Sequence, residues 1–110
     1  MDRLYVVVRD DLPAGAQACQ AVHATDAFAV EHPELTALWR KHGGNLVFLS
    51  VPDLRSLSEL MQAAGVANVS HAAFYETDFG GELTAAAFAA SARRLVSALP
   101  LALRDFVRAA

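Results

Sequence analysis

Short runs that are apolar on both faces alternate along this chain with longer stretches of helical periodicity. Leu4 to Val8 (Leu-Tyr-Val-Val-Val) is apolar and β-branched, the pattern of a strand covered on both sides. Arg9-Asp10-Asp11-Leu12-Pro13-Ala14-Gly15 reads as a turn. From about Ala14 to Glu31, Ala18, Ala21, Val22, Thr25, Phe28 and Ala29 fall at helical spacing. Pro33 stops that helix, because the residue before a proline leaves the helical region, and it opens a short second helix, Glu34 to Lys41, which Gly43-Gly44 ends. Leu46 to Val51 is a second strand. Asp53 is placed to cap a helix that runs to about Ala64, with Leu54, Leu57, Leu60 and Met61 inward and Gly65 as its stop. Val69 to Tyr75 reads as a third strand. Leu83 to Ala90 is open: its alanines favour a helix, yet alternating small residues also fit a strand. Ser91 is placed to cap a last helix, Ala92 to Leu99, before Pro100.

The order β-α-α-β-α-β-(β or α)-α predicts a parallel, right-handed β-α-β core with helices on the sheet. Ligands in such sheets sit beyond the carboxyl ends of the strands. That rule selects Arg9 to Asp11 and Tyr75 to Glu82. The 110 residues fit a single domain, 1–110, and bury enough surface for a two-layer core. No stretch approaches the ~20 apolar residues of a membrane span, and the N-terminus runs directly into a strand, so neither membrane nor signal peptide is expected. One cysteine, Cys19, fits a reducing cytoplasm.

The net charge of −3 argues against a broad sequence-independent nucleic-acid footprint. Eight of the nine basic residues are Arg, so any lysine chemistry rests on Lys41. Arg93, Arg94, Arg104 and Arg108 make the C-terminal quarter the most basic part, as a phosphate-tracking strip or as a solvated helix face.

The candidate chemistry is sparse. Cys19 precedes His23 by one helical turn, as a nucleophile and base, as metal ligands, or as a buried thiol beside a structural histidine. With one Cys and four scattered His, structural zinc is disfavoured. Glu76, Asp78 and Glu82 share one loop. They could form an acid–base pair, hold a divalent cation, or be a solvated turn. Arg9 could hold a phosphate at the following helix N-terminus, with Asp11 as its cap. No G-x-G-x-x-G or Walker sequence is present, which speaks against standard nucleotide sites. Trp39 reads as core or as a lid over the first helix.

The opening, Arg9-Asp10-Asp11-Leu12 and then Gly15-Ala16-Gln17-Ala18-Cys19-Gln20-Ala21-Val22-His23-Ala24, resembles the type 2 peptidyl-tRNA hydrolase family. That family shows R-x-D-L and G-K-x-A-A-Q-x-x-H-A there; Gly15, Gln20, His23 and Ala24 match. The resemblance spans about residues 3 to 99. It implies a three-layer α/β/α fold on a four-stranded mixed sheet, with Leu83 to Ala90 as a strand. It also implies hydrolysis of the ester of peptidyl- or aminoacyl-tRNA without metal or organic cofactor. The family's proposed set is a first-helix lysine, an aspartate after the third strand and threonines near the fourth. By position these become Ala16, Glu76 and Thr84. The resulting expectation is His23, Glu76 and Thr84 as catalytic, with Arg9, Asp10, Gln20 and Asp78 binding substrate. A catalytically degenerate binding module for RNA, a small anion or a protein is the alternative, and a repurposed small-molecule hydrolase a third. A homodimer is expected from the apolar fraction and the Leu101 to Val107 segment.

Overall fold

The computed structural model describes residues 1–104; Val107 and Arg108, named above, lie outside them. Its strands are β1 (Leu4–Arg9), β2 (Leu46–Val51), β3 (His71–Glu76) and β4 (Glu82–Phe88). Its helices are α1 (Ala14–Glu31), α2 (Pro33–Lys41), α3 (Leu54–Val66) and the short α4 (Arg93–Val96). The four strands form one mixed sheet in the order β2-β1-β4-β3. β1 pairs with β2 in parallel, Leu4 opposite Leu46 through Arg9 opposite Val51, while β4 lies antiparallel to both β1 and β3. β3 therefore runs in the same direction as β1. The carboxyl ends of β1, β2 and β3 and the start of β4 gather at one end of the sheet.

Every residue of β1 is buried, as its two-faced apolar run requires. Leu4, Val6 and Val8 pack with Ala24 and Phe28 of α1, and Trp39 of α2 leans on that layer. Tyr5 and Val7 face Leu57 and Ala64 of α3 and Val96 of α4. The result is an α/β fold in three layers. Among the described residues, no helix is long and apolar enough to cross a membrane.

The Leu83 to Ala90 ambiguity resolves to a strand through Phe88, while Ala90 opens a 3-10 turn, Ala90–Ala92. Ala85, Ala86 and Ala87 are fully buried in the middle of the sheet, where small side chains let both helical layers close on it. Tertiary context overrides their helical preference there.

Other boundaries also differ from the pattern, three of them for a clear reason. α3 runs through Gly65 because the left-handed position falls at Asn68 (φ 59°), with Val69 N donating to Ala64 O at 2.9 Å and Asn68 N to Gly65 O at 3.2 Å. That is a Schellman closure with asparagine at the glycine position. Val69 is spent on it, so β3 starts at His71 rather than Val69. The last helix stops at Val96, and Ser91 makes no cap; Pro100 turns the chain out to the sheet edge, where its carbonyl accepts from Ser50 N.

The α3 N-cap is as expected: the Asp53 carboxylate accepts from Ser56 N at 2.8 Å, which holds that carboxyl below its usual range. A depressed carboxyl adds stability above its unfolded pKa and loses it as pH falls through the folded one. Asp53→Ala should therefore lower the thermal midpoint at pH 7, and the gap from the parent should close in acid. Melting curves along a pH series check this.

Candidate functional site

At the gathered strand ends, the pairing of β3 with β4 slips between Phe74 and Tyr75: Phe74 faces Ala85 whereas Tyr75 faces Leu83. Thr84 is the extra residue, a β-bulge that aims its side chain at α1. Thr84 is fully buried, and its hydroxyl donates to Gln20 Oε1 at 2.7 Å, with Phe74 O at 3.3 Å. Gln20 is also buried, and its Nε2 donates to Glu76 Oε1 at a long 3.5 Å. Thr84 thereby sets the orientation of the Gln20 amide. With Oε1 taken by the hydroxyl, the NH₂ faces the carboxylate; the opposite orientation would set two acceptors face to face.

His23 lies three residues beyond Gln20 on the same flank of α1. Its exposed ring stacks on Phe74, centroids 4.4 Å apart and planes 12° off parallel. Its ring nitrogens have no hydrogen-bond partner among the described residues. Ala16, one turn before Gln20, completes this flank and is half-buried. α1 begins after Pro13 without a side-chain cap, and its first backbone bond is Gln17 N to Pro13 O at 2.9 Å. The N–H groups of Ala14, Gly15 and Ala16 are the helix's unspent donors. The acid at the end of β3 thus meets the flank of α1 at Gln20, and the same helix carries His23 one turn further on and uncapped N–H groups at its start.

The other expected residues lie elsewhere. Arg9 is buried with its side chain on the α3 side of the sheet. It donates to both Asp11 carboxylate oxygens (3.0 and 2.9 Å), to Glu82 Oε1 (2.6 Å) and to Leu83 O (3.1 Å). Asp11 and Glu82 raise its pKa further above the usual arginine value, against the opposing effect of burial. So Arg9 does not reach out for phosphate. It ties β4 to the turn after β1, and Asp11 is its partner rather than a helix cap. Arg9→Met should cost roughly 2–3 kcal/mol, because it removes a buried, multiply bonded cation while its half-exposed acids can rehydrate. Urea unfolding measures it.

The three loop acids do not converge. Glu76 faces α1, Glu82 pairs with Arg9 on the other side of the sheet, and Asp78 stands exposed on a single 3-10 turn, Thr77–Phe79. No group of three His, Cys, Asp or Glu suited to a metal occurs among the described residues. Asp10 is exposed. Its carbonyl accepts from Gln17 Nε2 at 3.5 Å, and Leu12 O accepts from the same nitrogen at 2.7 Å. Cys19 is exposed rather than buried.

Gln17 and Phe74 are the contributors that sequence reasoning passed over. Gln17 braces the turn that carries Asp10, and Phe74 is the platform under His23. Gln17 did leave a signal: with Gln20, Ala24 and Phe28 it forms the buried stripe of α1, where its Nε2 finds two carbonyl partners and its Oε1 none among the described residues. A separate cavity of about 480 Å³ lies on the opposite flank of α1, against α2 and β2.

The model of a family described as peptidyl-tRNA hydrolase PTH2 matches residues 3–99. No curated protein matches the chain. Among solved structures, a protein of unknown function from Agrobacterium tumefaciens strain C58 is similar, with a TM-score of 0.67 and 11% identity over 92% of this chain and 98% of that one, a likeness of fold. The matched span includes the bulge, the Gln20 flank and the carboxylate at the end of β3, and this chain belongs to the peptidyl-tRNA hydrolase PTH2 family.

Proposed function

We propose that this protein hydrolyses the ester of peptidyl- or aminoacyl-tRNA at the α1 flank. The observation that carries the reading is the Thr84–Gln20–Glu76 chain, which brings the carboxylate at the end of β3 onto the flank of α1, the helix whose first N–H groups are uncapped. Glu76 takes the proton of the attacking water. The N–H groups of Ala14 to Ala16 favour the oxyanion that develops on the ester carbonyl. His23 supplies a proton to the departing ribose oxygen. Gln20 contacts the substrate side of the carboxylate, and Thr84, buried beneath it, acts only by positioning that amide. Asp10 and Asp78 fit the rim of the bound substrate rather than its reacting bond. No cofactor enters these steps, and the reading places the protein in the cytoplasm.

The second reading, a non-catalytic module for RNA, an anion or a protein, draws on one specific observation: alanine at position 16. A lysine there would be a cationic donor to the oxyanion, and the flank has no other.

The deciding measurement is release of free tRNA from a peptidyl-tRNA by purified protein. Cleavage is expected. Tight binding of intact peptidyl-tRNA with no cleavage would overturn the hydrolase reading in favour of the module.

A further inference from the structure

We infer that the cavity between the start of α1 and the segment 100–104 binds a free apolar α-amino acid. It holds about 240 Å³ and is lined by Asp10, Gln17 and Ser50 and by Leu101, Leu103 and Arg104 of that segment. It lies toward the β2 edge of the sheet, whereas Glu76 ends β3 at the other edge. One of its lining groups has an unmet hydrogen bond. Gln17 is 4% exposed; its Nε2 donates to Leu12 O and Asp10 O, and its Oε1 has no partner among the described residues. A buried acceptor left that way forfeits its solvation unless something donates to it. Ser50 is buried too. Leu49 and Val51 pack on the α3 side of the sheet, so strand alternation turns Ser50 to the α1 side.

Charge narrows the occupant. Asp10 and Arg104 line the same cavity, both exposed, and neither has an ion-pair partner within 4 Å among the described residues. A simple anion would meet the Asp10 carboxylate and the lone pairs of Gln17 Oε1, and a simple cation would meet Arg104. A zwitterion suits both ends. Its α-ammonium has three N–H donors, matched by the Asp10 carboxylate, Gln17 Oε1 and the Ser50 hydroxyl, and its α-carboxylate goes to Arg104. Leu101 and Leu103 are left for an apolar side chain. The volume gives room for roughly eight water-sized groups, below the ~300–1,000 Å³ of sites for drug-sized ligands, which suits a molecule as small as leucine.

The segment 100–104 is held in place before anything binds. Ser50 N donates to Pro100 O at 3.0 Å and Ala102 N to Phe48 O at 2.9 Å, which fixes it along β2. Leu103 keeps a left-handed φ of 58°, a conformation that leucine adopts at a cost. A bound amino acid joins this segment to the turn after β1, which Gln17 braces, and binding to the folded chain alone raises its stability. The inference does not depend on the hydrolase reading.

Calorimetric titration of the full-length protein with L-leucine, in the absence of RNA, tests it. One site per chain should fill with a Kd below about 1 mM. Leucinamide lacks the carboxylate and N-acetyl-leucine lacks the ammonium, so each should bind about tenfold more weakly or worse. Two variants at exposed positions locate the ends of the ligand. Arg104→Gln should weaken leucine by about tenfold and leave leucinamide no weaker, whereas Asp10→Asn should weaken leucine by about tenfold and leave N-acetyl-leucine no weaker. The ligand that each variant still binds shows that the variant is folded. No saturable binding of leucine, binding of either derivative as tight as that of leucine, or variants that weaken all three ligands alike or none would each overturn the site.

Discussion

Glu76→Gln should lower the rate of peptidyl-tRNA cleavage by about 10²–10⁴-fold while leaving substrate affinity and the melting temperature nearly unchanged. The substitution keeps the size of the side chain and an oxygen for Gln20 Nε2 to donate to, so the contact across α1 and β3 survives. What it removes is the ability to take a proton from water. Glu76 is half-buried and its replacement keeps the contact with Gln20, so the buried Thr84–Gln20 pair stays bonded and the two effects are separable. A loss confined to the catalytic rate, with unchanged affinity for intact substrate, is the expected signature. A loss smaller than about tenfold would move the proton-accepting role elsewhere, with His23 the first to test.

Much of the frame was legible because it is written in periodicity and punctuation. The two-faced run at Leu4 to Val8, the proline between α1 and α2 and the Asp53 cap each act through neighbours in sequence. Position at the strand ends was legible too, since chain order alone puts Arg9 and Glu76 at one end of the sheet. The direction of their side chains was not. A strand alternates faces, so Arg9 and Glu76 end up on opposite sides of the same sheet, and no local pattern states that. The bulge matters most here. One extra residue in β4 brings Thr84 round to α1, and it depends on pairing with β3, a contact between segments ten residues apart. Ala85 to Ala87 make the same point for the fold: their composition favours helix, and only the two layers closing on them make them strand.

That division explains why position 16 is the most informative one to change. Ala16→Lys should raise cleavage by about 10²-fold, the usual worth of one oxyanion donor. Ala16 sits one turn before Gln20 on the flank that faces Glu76, half-buried at the mouth of the site. A lysine there needs no rearrangement of the backbone, and its flexible stem can lie along the flank with the ammonium at the free N–H groups. The cost is small and has a definite sign. A cation in the first turn opposes the helix dipole by about 0.3–1 kcal/mol, so the variant should melt slightly lower as it becomes faster. Gain of rate with loss of stability separates an effect on the reacting bond from a general tightening of the fold. Adding Glu76→Gln to Ala16→Lys should remove most of the gain, since an oxyanion donor is of little use when no base takes the proton of the attacking water. If Ala16→Lys leaves the rate unchanged while Glu76→Gln still lowers it, the substrate carbonyl lies away from the α1 terminus and the water-activating carboxylate works toward a different oxyanion site.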